Sequence, residues 1–308
     1  MSRTARLAAP AKVNLTLEVI GERADGYHEL RSVFATLELA DRVRVSASGA
    51  LDVAVRPDPG AAPGTELAAR AVAALAAAAG RPAKAHVRVA KRIPVAAGLG
   101  GGSSDAGAVL RGLARVWRTE VDIGTVGAAV GSDVPFFASG AAFALVEGRG
   151  ERVRALPAPP EPLWIVLVRV RARVATADVF RALRAEEWGD GRRSSALAAA
   201  FADGSVDPAT IRSHSGNDLL AAASRVCRDI GEARLLAGSK GVTLLLSGSG
   251  PSLFAVADSR RDALRLARIL RGQGLDARPQ ELGPRVARAI RASALLLPST
   301  HGRHGPPG

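Results

Sequence analysis

Residues 94–107 read Pro-Val-Ala-Ala-Gly-Leu-Gly-Gly-Gly-Ser-Ser-Asp-Ala-Gly. Gly98, Gly100, Gly101 and Gly102 crowd into five positions, and Ser103, Ser104 and Asp105 follow. Alternation before the loop (His86, Val87, Arg88, Val89) predicts a strand over 85–90. The small residues from Ala106 to Val116 predict a helix after it. Strand, glycine loop, hydroxyl pair and helix together make an anion site. Glycine lets the backbone bend sharply and approach a ligand closely. The first helical turn offers free N–H groups and the positive end of the dipole. Ser103 or Ser104 either caps that helix or turns a hydroxyl toward a phosphate or magnesium. No lysine follows the glycines, so this is not a Walker A loop, and Ser103 replaces the third glycine of a dinucleotide fingerprint. The competing reading is a flexible turn.

Three further stretches carry chemistry. In Gly131-Ser132-Asp133-Val134-Pro135-Phe136-Phe137, Asp133 is either a helix N-cap or a partly buried carboxylate able to accept a proton from a substrate hydroxyl. Lys12 is its candidate positive partner, and Asn14 shares the polar face of the strand predicted over 11–20. Asp25-Gly26 marks a turn. Tyr27, the single tyrosine, and His28 follow it; they either stack on and hydrogen-bond a planar base, or pack. Ser247-Gly248-Ser249-Gly250-Pro251-Ser252 is either a hairpin turn or a second loop supporting the first.

The remaining elements must position these groups. Alternation through Val33, Leu37, Leu39, Val43 and Val45 predicts a hairpin or meander. Helices are predicted over 66–79, 122–130, 176–187, 217–236 and 259–271. Strands are predicted over 51–55, 141–146, 163–170, 242–246 and 253–257. Residues 189–207 read as a loose loop or weak helix. The prolines between 157 and 162 read as a linker.

The 308 residues suffice for two domains, and 47% are hydrophobic. One cysteine, Cys227, excludes an internal disulfide and a cysteine zinc site. The alanine-rich run over 68–79 is too short to span a bilayer, and no signal-peptide apolar core precedes Lys12; a cytoplasmic location is expected. The net charge of +13 is nearly all arginine. It reflects polyanionic substrates, compositional drift or, ranked last because the arginines are scattered, nucleic-acid binding.

The pattern Pro-x3-Gly-Leu-Gly-x-Gly-Ser-Ser at 94–104 resembles the phosphate loop of the GHMP kinases (galactose, homoserine, mevalonate and phosphomevalonate kinases). Pro-Ala-Lys-Val-Asn-Leu at 10–15 and Ser-Gly-Ser-Gly-Pro-Ser at 247–252 follow the same family order. Within that superfamily the sequence is similar to the 4-diphosphocytidyl-2-C-methyl-D-erythritol kinase family, on Arg-Ala-Asp-Gly-Tyr-His-Glu-Leu, Gly-Ser-Asp-Val-Pro-Phe-Phe and Gly-Asn-Asp-Leu at 216–219.

The resemblance implies transfer of the γ-phosphoryl of ATP to the 2-hydroxyl of that cytidyl alcohol, in the non-mevalonate (methylerythritol phosphate) isoprenoid route. It implies Asp133 as base and Lys12 as its charge partner. Pro94, Ala97, Gly98, Leu99, Gly100, Gly101, Gly102, Ser103 and Ser104 would hold ATP. Tyr27 and Phe180 would sandwich the cytosine, with His28 and Asn14 orienting the substrate. Ser247, Gly248, Ser249 and Gly250 would support the loop. Mg2+ is expected with ATP, with no protein metal ligand assigned. The implied fold is α/β (α+β) in two domains: a mixed sheet with helices over 1–155 and a ferredoxin-like domain over 163–298, with the site between them. A disordered tail over 299–308 completes the chain. ATP and the small alcohol are the expected partners, without nucleic acid or membrane, in a monomer or homodimer. Glu66 departs from an asparagine common in relatives near adenine, and Leu220 from an acidic residue. The alternatives are another GHMP kinase, of homoserine or mevalonate type, or a basic nucleic-acid-binding protein.

Overall fold

The computed structural model describes residues 3–57 and 63–283 of the chain. The expected tail at 299–308 lies outside them. The chain opens with β1 (Thr4–Asn14), β2 (Thr16–Glu22), β3 (His28–Ala47), β4 (Asp52–Arg56), α1 (Pro63–Ala78), β5 (Ala85–Ala90) and α2 (Gly101–Trp117). Then come α3 (Ile123–Val130), α4 (Val134–Ser139), β6 (Phe143–Gly148) and β7 (Arg152–Leu156). The expected hairpin or meander is present: β3, one 20-residue strand that carries the alternation over 33–45, turns back on β2 at Asp25-Gly26. Its length lets it pair with β1, β2, β5 and β6, so it is the spine of the first sheet. Antiparallel pairs and the parallel pair β4–β5 make that sheet mixed.

The second half runs β8 (Trp164–Arg169), α5 (Thr176–Ala182), α6 (Arg192–Ala202), α7 (Pro208–His214), β9 (Gly216–Asn217), α8 (Leu220–Val226) and α9 (Arg228–Gly238). It ends with β10 (Leu245–Leu246), β11 (Leu253–Ala257), α10 (Arg260–Gly272) and β12 (Asp276–Glu281). The antiparallel order β10-β11-β8-β12, with helices between β8 and β10 and between β11 and β12, is the ferredoxin-like arrangement expected. β9 leaves this sheet and pairs in parallel with β2, joining the halves. One apolar core lies under α1 and α2, a second under α8 to α10. A third spans both halves, with Val13 and Leu15 beside Ile165, Phe201 and Phe254.

Several elements differ from expectation. Residues 192–202 form a helix, because Leu197, Ala198 and Phe201 recur at helical spacing and are buried. The helix predicted over 176–187 stops at Ala182. The helix predicted over 217–236 starts later and breaks at Cys227, whose backbone is extended. The strand over 242–246 shrinks to Leu245–Leu246. β12 was not anticipated, because Arg278, Pro279 and Gln280 give it no apolar alternation.

The arginines are scattered only along the sequence. On the sheet face away from α1 and α2, register puts Arg6, Arg44 and Arg88 in one cross-strand row, with Arg42 and Arg56 in the next. Arg88 pairs with Asp52 at 2.6 Å. Like charges directly opposite destabilise a sheet. Arg44→Glu, between two arginines, should therefore raise the thermal midpoint by about 1–3 °C, read by calorimetry. An unchanged or lower midpoint would count against repulsion in this row.

Candidate active site

The two halves face each other across a cavity of about 910 Å³, lined by Lys12, Gly98, Ser103 and Asp133 on one side and Phe180 and Ser249 on the other. Lys12 reaches it from β1 at a register shift between Pro10 and Lys12. Its backbone N–H donates to Leu99 O at 3.0 Å, which ties the glycine loop to the strand. Its Nζ donates to Asn14 Oδ1 at 2.6 Å and stands 4.6 Å from the Phe34 ring centroid. Asn14 Nδ2 donates in turn to Ser32 Oγ at 2.9 Å, and the Ser32 hydroxyl donates to Thr16 O. Both polar ends of Asn14 are thus engaged in holding Lys12. The ammonium is stripped of most of its water and lies 3.5 Å from Asp133 Oδ2. The Lys12 side chain is 5% exposed and that of Asp133 30%, so only the carboxylate meets the cavity broadly.

Asp133 occupies the N-cap position of α4, yet its side chain makes no capping hydrogen bond. The cap reading gives way to a carboxylate facing Lys12. Its backbone is clamped from several sides. Phe136 and Phe137 are buried just after it. Gly107 of α2 packs so closely on α4 that a Cβ there would lie 2.6 Å from Phe137 Cβ. Gly150, in the β6–β7 turn, lies against Ser132 O.

The loop over 94–100 delivers α2 to the same place. Helix α2 starts at Gly101, five residues earlier than predicted, with Gly100 as N-cap at φ 69° and no side-chain cap. Neither Ser103 nor Ser104 caps it. Ser103 lines the cavity, whereas Ser104 is fully buried and its hydroxyl has no partner among the described residues. The first-turn amides have no intrahelical acceptors. Gly101, the first helical residue, packs closely on Ile93: a Cβ there would stand 3.0 Å from Ile93 Cγ2.

Ser247–Ser252 meets the loop directly, with the Ser247 hydroxyl donating to Gly98 O at 3.4 Å. Asn217 Nδ2 braces this second turn through Leu246 O at 2.9 Å and Gly248 O at 2.8 Å. The hydroxyls of Thr176 and Ser249 are 2.9 Å apart.

At the far end of the cavity, His28 packs on Phe180 with ring centroids 5.0 Å apart, and edge-on against Trp188 at 6.0 Å. Tyr27 is 51% exposed, with the Arg149 guanidinium 5.3 Å from its ring centroid. Sequence reasoning missed Ser32, Arg149, Thr176 and Trp188, which also line the cavity. Arg149 carried a weak signal, a basic residue between two glycines; Ser32 and Thr176 carried none.

The first half matches the GHMP kinases N terminal domain over residues 66–141. The 4-diphosphocytidyl-2-C-methyl-D-erythritol kinase of Shouchella clausii is 35% identical over 271 residues, covering 86% of this chain and 90% of the relative. A crystal structure of 4-(cytidine 5'-diphospho)-2C-methyl-D-erythritol kinase superposes with a TM-score of 0.74 at 38% identity, over 91% of this chain and 99% of that one. The chain belongs to this kinase family. A homoserine kinase from Cytophaga hutchinsonii, at 18% identity and a TM-score of 0.66, shares the fold alone. In this family member, therefore, the glycine loop, the Lys12–Asp133 pair and the aromatic end of the cavity line one continuous space. Among the described residues no helix is long and apolar enough to cross a membrane.

Proposed function

We propose that this kinase transfers the γ-phosphoryl group of ATP to the 2-hydroxyl of 4-diphosphocytidyl-2-C-methyl-D-erythritol, giving the 2-phosphate, ADP and a proton, in the cytoplasm. The observation that carries the reading is the Lys12–Asp133 pair, 3.5 Å apart in the cavity that α2 and the aromatic cluster also line. Asp133 accepts the hydroxyl proton as the oxygen attacks phosphorus. Lys12 pairs with the carboxylate at 3.5 Å and offsets the charge developing on that oxygen. The first-turn amides of α2 and the Ser103 hydroxyl hold the phosphates, with Ser247–Gly250 fixing the loop from behind. Asn14 acts through Lys12, whose position it sets.

Magnesium would enter with ATP. Asp133 and Ser103 are oxygen donors of the kind a hard cation takes. Among the described residues no group of three or more His, Cys, Asp or Glu is arranged to hold a metal ion.

The resemblance implies cytosine between Tyr27 and Phe180, and the support is that both line the cavity; His28, which packs on Phe180, and Arg149, beside Tyr27, are their neighbours there. Phe180→Ala should raise KM for the cytidyl alcohol by roughly tenfold, the scale of a lost stacking contact, and leave KM for ATP unchanged. Equal effects on both substrates would remove Phe180 from the base site.

The reading as a whole is tested by ADP release with ATP, Mg2+ and the cytidyl alcohol, beside mevalonate and homoserine. Turnover of the cytidyl alcohol alone is expected. Turnover of either other alcohol in its place would overturn the substrate assignment.

A further inference from the structure

The arginine rows on the first sheet enclose a hollow that phosphoryl transfer does not use. Arg6, Arg44 and Arg88 stand side by side across β1, β3 and β5, and Arg42 and Arg56 occupy the next row. All five are exposed. The positions between them are alanines. Ala54 completes the first row, and Ala8 and Ala90 flank Arg42 in the second. Long side chains around a floor of methyl groups leave a depression of about 450 Å³ that all eight residues line. None of them lines the active-site cavity.

The charge of the hollow is almost uncompensated. Arg88 pairs with Asp52, whereas Arg6, Arg42, Arg44 and Arg56 pair with no carboxylate among the described residues. Neighbours within a row lie about 4.8 Å apart, and the two rows about 7 Å apart along the strands. Arginines this close repel one another. An anion between them relieves that repulsion and accepts from their forked N–H donors.

Shape and chemistry select the occupant. A hollow of this volume is of the size that holds a small ligand. No aromatic or large apolar side chain occupies either row, so the face offers no stacking platform for the bases of a single strand. It also lacks the apolar anchor of a protein interface. Donors in two rows call for an anion charged at more than one centre, as a chain of phosphates is. We propose that this hollow is an anion site, separate from the active site, for a small polyphosphate: a chain of two or three phosphates, free or carried by a nucleotide.

The test is calorimetric titration with inorganic tripolyphosphate at 0.15 M salt, where diffuse attraction is screened beyond about 8 Å. The proteins are the wild type, Arg42→Gln/Arg44→Gln, and Arg261→Gln/Arg268→Gln, which removes the same charge from exposed positions of α10. The wild type should bind one equivalent more than Arg42→Gln/Arg44→Gln, and the α10 pair should match the wild type. Taking the difference cancels any tripolyphosphate held by the active site. The kcat and KM values for ATP should be the same in all three proteins. Without ligand, Arg42→Gln/Arg44→Gln should melt no lower than the wild type, since it loses repulsion. It should also lose the rise in thermal midpoint that the extra equivalent gives the wild type. Tripolyphosphate should bind the hollow at least about tenfold tighter than orthophosphate, the scale of one further charged hydrogen bond.

Equal stoichiometry in the wild type and Arg42→Gln/Arg44→Gln overturns the proposal. So does an equal loss in the α10 pair, which would leave only the net charge of the chain. Orthophosphate bound as tightly as tripolyphosphate overturns the polyphosphate class. Duplex RNA bound through this face, with no extra equivalent of tripolyphosphate, would assign the face to a nucleic-acid backbone and overturn the small-ligand site. Repeating the titration with ATP separates the two sources, and either result supports the site: an extra equivalent of ATP assigns the nucleotide's chain, and its absence assigns the free chain.

Discussion

Asp133→Asn should lower kcat by about 10²- to 10⁴-fold, the range set by loss of a general base, while KM for both substrates stays within about threefold. The amide fills the same space and cannot take the hydroxyl proton. Folding should be spared, for reasons visible around the residue. The Asp133 side chain makes no capping bond to α4, so that helix loses nothing with the carboxylate. Lys12 keeps its hydrogen bond to Asn14 and its place over the Phe34 ring, so the ammonium is not stranded. Steady-state kinetics and a thermal melt on one preparation separate the outcomes. Retention of kcat within about threefold would remove Asp133 from proton transfer and leave phosphate alignment as the main contribution. Loss of the folded state would make the residue structural instead.

The Asp133 segment also marks how far the sequence could be read. Residue type and spacing were enough to single out Asp133, Lys12 and the glycine loop, because each stands out locally. Residue type and spacing alone left Asp133 between a cap and a base; the family resemblance implied the base, and the structure adds a side chain that makes no cap bond and faces Lys12. Lys91, Asp41 and Asp105, which pair under the loop, show the same limit. Lys91 and Asp105 are 14 positions apart and Asp41 lies on another strand, so nothing local announces them as one group. Elements held by tertiary pairing rather than periodicity were illegible. β9 has two residues and exists because β2 offers it an edge. β12 pairs along the whole of β8 although its residues alternate no apolar face inward. The arginine face arose the other way: a scattered composition became a cluster only through strand register.

The second large effect is expected at Gly98→Ala. Gly98 has φ +70°, a left-handed conformation that alanine adopts at a cost of about 1 kcal/mol. That cost is the smaller part. A Cβ there would lie 2.5 Å from Gly250 O and 2.9 Å from Ser247 O. Both are backbone atoms of a turn that Asn217 holds through Leu246 O and Gly248 O, so neither can rotate aside. The glycine loop must therefore move away from the turn, and α2 with its phosphate-facing amides moves too. A displacement near 1 Å at a positioning site costs on the order of 10²-fold in rate, so kcat/KM for ATP should fall by about that factor. Gly274→Ala separates strain from clash. Gly274 also has a positive φ, at +80°, but a Cβ there would meet nothing within 4 Å, and it lies after α10, outside the cavity lining. It should lose stability by a similar strain cost and keep its kcat/KM. If Gly98→Ala loses no more activity than Gly274→Ala, the close fit between the two glycine turns does not position the nucleotide. A loss confined to Gly98→Ala places the alignment of ATP in that backbone contact between the halves of the molecule.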